Sequence, residues 1–191
     1  VGAVLVEPIQ GRGGIRLPPK GWLAELIEAA HYAGAVVIFD EIYTGFGRTG
    51  AWLRAHAEGA TPDLVCVGKG MGGGLPISAC VGTASVMDAW GASRGEAIHT
   101  QTFLGHPLGC AAALACIEVL ESVIPAVEET GQWIRGELSQ IGISTRGVGL
   151  MIGLEVEDPL RISRALMQRG YIALPAGVVG SEVLALTPPL N

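Results

Sequence analysis

The sequence predicts an α/β fold in which strands lie buried inside a layered sheet, and three observations lead there. Hydrophobic residues make up 49% of the 191 residues and charged residues only 16%, a balance that suits strands covered on both faces. Short apolar runs of strand length recur along the chain and end in polar or glycine residues. Stretches with helical spacing alternate with them, the order expected of a layered sheet with helices packed on it.

Residues 1–6 form the first strand and close on Glu7-Pro8; the Gly- and Pro-rich residues 9–19 are loop. Residues 21–33 (GWLAELIEAAHYA) have the periodicity of a helix, with Gly34 placed to cap its C-terminus. Residues 35–39 (AVVIF) are a second buried strand, followed by the loop GFGRTG and a short helix near 52–56. Residues 63–67 (DLVCV) are a third strand that runs into Gly68-Lys69-Gly70-Met71-Gly72. Residues 77–81 are a fourth, and 84–90 a helix. Residues 105–120 read as a well-buried helix, and a more amphipathic one spans roughly 126–139. Beyond it come a strand at 149–155, a helix at 159–169 and a strand at 183–187, a change of texture that places a domain boundary near 125–145.

The bulk chemistry excludes several classes. The net charge is −6 and no Lys/Arg-rich run occurs, so no nucleic-acid partner is expected. No run approaches ~20 uninterrupted apolar residues, so no membrane span is expected. Cys66, Cys80, Cys110 and Cys116 stand singly without CxxC spacing and read as buried thiols of a reducing compartment, which points to the cytoplasm. His31, His56, His99 and His106 lack ligand spacing, so no metal is expected. The chain opens inside a strand, without an initiator Met or signal peptide, and stops after Thr187-Pro188-Pro189-Leu190; it reads as a fragment.

Asp40 and Lys69 each follow a buried strand. Ligands of open α/β sheets bind beyond the carboxyl ends of the strands, so both groups emerge on one rim. An aspartate after a strand also serves as a cap, and position alone leaves both roles open. A lysine between glycines could cradle phosphate, but a P-loop would need Ser or Thr at Gly70 and Gly at Asp63. A lysine with a carboxylate partner fits pyridoxal phosphate (PLP) chemistry: the amine binds the aldehyde as a Schiff base, and the acid keeps the pyridine nitrogen protonated. The same lysine, once released, can shuttle a proton as general base.

Several stretches together resemble class III (ω-) aminotransferases: residues 5–11 (LVEPIQG), 39–50 (FDEIYTGFGRTG), 68–70 (GKG), 102–108 (TFLGHPL) and 149–155 (GLMIGLE), with Lys69 29 positions after Asp40. The resemblance implies PLP-dependent fold type I, with residues 1–125 as the C-terminal half of the large mixed-sheet, PLP-binding domain. Residues 126–191 would be part of the small C-terminal α+β domain. It implies Lys69 as the catalytic Schiff-base lysine, Asp40 on the pyridine nitrogen, Ile42 against the ring and Thr102 on the phosphate of a neighbouring subunit in a homodimer. Tyr43 stands where many members carry a Gln that bonds the ring hydroxyl, and Glu7 is expected near that network. The implied reaction moves an amino group from an amine or ω-amino acid donor of the 4-aminobutyrate, ornithine or diamine type to an oxo-acid acceptor. Aminomutases, racemases and decarboxylases of the same family keep this lysine and aspartate, and a catalytically silent fragment is a further alternative.

Two positions depart from the family pattern. Arg12 stands where many members have glutamate, and Ala185 where many have a carboxylate-binding arginine. Arg12 could supply that cation from the opposite wall, or it could be plain solvent-exposed charge.

Overall fold

The computed structural model describes residues 2–96 and 99–191; Val1, the expected start of the first strand, lies outside them. The described residues form two four-stranded sheets with helices packed on them. In the first, β1 (Ala3–Val6), β2 (Val36–Asp40), β3 (Leu64–Val67) and β4 (Ala79–Gly82) lie in sequence order. β1, β2 and β3 are mutually parallel and β4 is antiparallel to β3, which makes the sheet mixed.

Helix α1 (Trp22–Tyr32) packs on this sheet and buries Leu23 and Ala30 with Val37 and Phe39 of β2. It ends as predicted at Gly34, whose φ of 73° lets the chain turn back while Ala35 N donates to Ala30 O at 2.9 Å. Two short helices follow, α2 (Arg54–Ala57) and α3 (Ala84–Met87), the latter continuing as a 3₁₀ turn to Trp90.

The two helices expected at 105–120 and 126–139 are one: α4 runs unbroken from Pro107 to Gln140 with Pro125 inside it. Pro125 removes one ladder donor, but the turns on both sides are held by packing of Leu120, Ile124 and Val127. Nor is its first half well buried within this chain, because Leu108, Leu114 and Val119 are exposed. By length and composition alone α4 is apolar enough to cross a membrane, with a window of mean hydropathy 1.9. The uninterrupted-run criterion missed it because Glu118 and Glu121 break the run without lowering the average far.

The second sheet, order β5-β6-β8-β7, is wholly antiparallel: β5 (Ser144–Val148), β6 (Met151–Glu155), β7 (Leu174–Ala176) and β8 (Val183–Leu186). Strands β5 and β7 were not expected, since one carries Arg146 and Gly147 and the other is three residues long with Pro175 at its centre. Helix α5 (Pro159–Met167) starts on Asp158, whose Oδ1 accepts from Arg161 N at 3.0 Å, a cap of the kind that favours Asp. Alternation along β6 splits the sheet's two faces. Met151 packs with Ile9, Ile15 and Ala185, and Ile152 packs with Leu154 and Leu184. The loop after β1 therefore docks on the second sheet, and the rim of the first sheet is brought against it.

The cysteines are not buried thiols here. Cys80 and Cys110 are exposed, and Cys66 and Cys116 are partly so. Cys66 and Cys80 face each other across β3 and β4 with Sγ atoms 4.0 Å apart. Burial pushes the Cys66 thiol pKa up, and Cys80 and Asp40 add to that.

Candidate active site

Asp40 is the last residue of β2 and pairs in register with Cys66 of the parallel neighbour β3. Adjacent strands lie ~4.8 Å apart, and Lys69 follows Cys66 by three residues, so both side chains leave the same end of the sheet. Asp40 Oδ1 accepts from Ile42 N at 3.0 Å and so does cap the next turn. Its Oδ2 makes no hydrogen bond among the described residues, which leaves half the carboxylate free for a further donor.

Lys69 opens a 3₁₀ turn, Lys69–Gly72, and is one of four non-glycine residues at positive φ among the described residues, here 41°. That conformation is unfavourable for a side-chain-bearing residue and is held by its surroundings. Gly68 before it is enclosed by Ile77 O, Ile42 Cγ2 and Ser78 Cβ. Met71 and Gly72 after it are buried against α4, with Met71 in a cluster with Val67 and Ala113. Lys69 Nζ pairs with no acid among the described residues. It lies 4.8 Å from the centre of the Tyr43 ring, in cation–π range.

Tyr43 in turn is wedged against backbone: a Cβ on Gly11 would overlap its Cδ1 and Cε1. Glu7 Oε2 accepts from Gly11 N at 2.9 Å, so Glu7 shapes the turn that holds Tyr43. Ile42, Tyr43, Phe46, Arg48, Lys69 and Thr187 line one small cleft. Arg48 was not singled out from the sequence, although it sits in GFGRTG. Its Nη1 donates to Leu150 O at 3.0 Å and Pro188 O at 2.6 Å, and burial pushes its pKa down while Tyr43 opposes the shift. Its partners lie more than 100 residues away, which no local pattern signals.

Thr102 is not brought to this cleft. It sits exposed in the turn 102–105 ahead of α4, beside exposed Phe103 and Leu104. Arg12 is exposed, with Nη1 donating to Pro175 O at 3.3 Å. A cleft of about 400 Å³ contains both Arg12 and Ala185, with Tyr43 on the same wall. No cluster of metal-ligating side chains occurs among the described residues.

An amine without an acid partner, a carboxylate with a free oxygen on the neighbouring strand end, and an isoleucine beside both suit a flat, charged aromatic group with an electrophilic carbon. The donor set fits PLP: Lys69 for covalent attachment, Asp40 for a ring N–H and Ile42 for ring packing. This arrangement defines a strand-end lysine site in a mixed α/β sheet.

The chain belongs to the aminotransferase class-III family, whose model it matches over residues 1–191. It is 40% identical to the acetylornithine aminotransferase of Methanopyrus kandleri, an alignment that covers 98% of this chain and 49% of the relative. Among solved structures, the ornithine aminotransferase of Toxoplasma gondii superposes with a TM-score of 0.87 at 36% identity, covering 98% of this chain and 46% of that one. An amine transaminase from an uncultivated Pseudomonas species, solved in its PLP-bound form, does so with a TM-score of 0.86 at 31% identity, covering 98% and 47%. The chain thus spans about half the length of the curated relatives it matches. The expected fold type I architecture holds.

Proposed function

We propose that the protein to which this chain belongs is a PLP-dependent aminotransferase that moves an amino group from an amine or ω-amino acid donor, of the 4-aminobutyrate, ornithine or diamine type, to an oxo-acid acceptor. The observation that carries this is the emergence of Lys69 and Asp40 from adjacent parallel strand ends, within a chain matched throughout by a class III family model. When bound, PLP supplies a protonated, electron-withdrawing ring that stabilises negative charge at the substrate Cα.

The residues divide the remaining work. Lys69 Nζ would hold the cofactor covalently and, when free, would be the group placed to take up and give back a proton as general base. The free oxygen of Asp40 would hold the proton of the ring nitrogen, in a half-buried site where such an ion pair is stronger than in water. Ile42, which lines the same cleft, would pack against the ring and keep water from it. The Tyr43 hydroxyl would offer a donor to the cofactor's ring hydroxyl, with the Tyr43 ring fixed by Gly11 and the Glu7-held turn. Thr102, exposed in its turn, would serve the phosphate bound in the other subunit of a homodimer. The four free thiols suit a cytoplasmic setting, and the net charge of −6 argues against a nucleic-acid partner. The five glutamates within α4 are at odds with a membrane partner.

The test is to load the full-length protein with PLP and trap the adduct with borohydride. A modified peptide containing Lys69, lost in Lys69→Ala, and turnover that requires an oxo-acid acceptor are the expected results. Attachment at another residue sinks the site, and turnover without an acceptor replaces the aminotransferase with a mutase, racemase or decarboxylase.

A further inference from the structure

We infer that Arg12 anchors the carboxylate of the substrate, so that the enzyme takes aliphatic ω-amino acids and oxo-acids in preference to simple amines; this rests on the aminotransferase reading of Lys69. The argument starts from the cleft of about 400 Å³ that Arg12 and Ala185 share. Among the described residues, Arg12 is its one charged lining residue. Leu174, Ala176, Ala185 and Leu186 make its walls small and apolar, and Ala185 in particular is 8% exposed at the middle of the sheet and occupies little of the space.

Arg12 is held but not neutralised. Gly177 N donates to Arg12 O at 2.9 Å, which pins its backbone to the end of β7, and Nη1 donates to Pro175 O. No carboxylate lies within ion-pair distance of its guanidinium among the described residues, whereas Arg54, Arg135, Arg146 and Arg161 each have an acidic partner. A guanidinium donates through five N–H groups in a planar fork, so one bond to a carbonyl leaves enough of the fork to grip a carboxylate at two points. Arg48 is the competing cation near Lys69, but its Nη1 is engaged by the carbonyls of Leu150 and Pro188 and it is drawn away from the larger cleft.

Tyr43 joins the two ends. Its ring lies under Lys69 Nζ at 4.8 Å and also lines the Arg12 cleft, where it packs on Gly11, the residue next to Arg12. A ligand whose amine or carbonyl carbon sits at Lys69 can follow this ring into the cleft. There a methylene chain meets apolar walls, and a terminal carboxylate meets the one cation.

The experiment uses Arg12→Gln, which retains a donor for Pro175 O while removing the charge, and Arg12→Lys, which retains the charge. Glutarate, a dicarboxylate without an amine, is titrated calorimetrically into the full-length protein with and without PLP. Steady-state KM is measured for 5-aminovalerate and for pentylamine, which lacks the carboxylate. Arg12→Gln is expected to weaken glutarate binding and raise the KM for 5-aminovalerate by about 10- to 100-fold, with pentylamine little changed and Arg12→Lys recovering part of the loss. Unchanged glutarate affinity in Arg12→Gln overturns the anchor, and so does an equal loss for pentylamine, which would mark a structural role. Failure of the unsubstituted protein to take up PLP sinks the aminotransferase reading instead, and the glutarate titration of the cofactor-free protein still decides Arg12.

Discussion

Gly11 has no side chain, and Tyr43 occupies the space one would need. An added methyl overlaps the Tyr43 ring and comes within 3.2 Å of Met151 Cε. The ring cannot retreat freely, because Lys69 lies over it. Gly11→Ala is therefore expected to cost about 1–3 kcal/mol of stability through overpacking and to weaken PLP uptake, read by denaturant unfolding and cofactor titration. Normal uptake in a stable Gly11→Ala protein would show that Tyr43 does not set the Lys69 environment. Glu41 makes a second residue-scale case. It is 1% exposed, accepts from Thr44 Oγ1 and from the N–H groups of Arg54 and Ala55, and so ties the loop after β2 to the start of α2. Glu41→Ala strands these donors and should lower stability by about 2–4 kcal/mol; a loss under ~0.5 kcal/mol in chemical denaturation would contradict this. Asp40 and Lys69 are legible in the sequence because a polar residue closing an apolar run must lie at a strand end. The packing of Tyr43 on Gly11 is not legible, because it joins residues 32 apart on different segments through shape alone.

At the scale of elements, Asp63 stitches three of them together. Its Oδ2 accepts from Val37 N of β2 at 2.6 Å and meets His31 Nε2 of α1 at 2.8 Å, just ahead of β3. Burial by itself would push the Asp63 carboxyl up, but the Val37 N–H and the His31 ring outweigh it and hold the pKa below the usual carboxylate value. A depressed folded-state pKa stabilises the fold above the ordinary Asp value of about 3.9, and the contribution fades as pH falls through the lower folded value. Asp63→Asn should thus be less stable than the parent near neutrality, with the gap narrowing below about pH 4 as the parent loses its advantage. Urea midpoints against pH measure this, and a gap that widens in acid would contradict the sign. Helices and strands with clean periodicity are readable from the sequence, as α1 and β1–β4 illustrate. What misleads is composition inside elements: Pro125 suggests a break where packing holds α4 straight through, and Arg146 and Pro175 hide β5 and β7, whose pairing comes from β6 and β8.

For the molecule as a whole, the two sheets are joined by the docked loop after β1 and by a small knot of backbone around Arg48 and Leu150. Leu150 N donates to Arg48 O at 3.0 Å, and the Arg48 side chain returns to Leu150 O and reaches Pro188 O. Glu128 of α4 accepts from Gly149 N at 2.8 Å, while Arg135 donates to Gly149 O at 3.2 Å. Gly149 is at φ 54°, and a Cβ there would stand 2.7 Å from Thr49 C and 2.9 Å from both Arg48 O and Gly50 N. All three atoms are backbone, so nothing can rotate aside. Gly149→Ala should cost about 3 kcal/mol or more, from overpacking together with a left-handed conformation. Because Arg48 lines the cleft of Lys69, the same substitution should weaken PLP uptake far from the point of change. Arg48→Met separates the two effects: it keeps bulk in the cleft but releases Leu150 O and Pro188 O, so the sheets lose this side-chain tie without the backbone clash. The expected outcome is a smaller loss of stability, about 1–3 kcal/mol, with a loss of cofactor affinity comparable to that of Gly149→Ala. If Arg48→Met instead bound PLP as the parent does, the relative seating of the two sheets would not govern the Lys69 site, and the Gly149 effect would be one of stability alone.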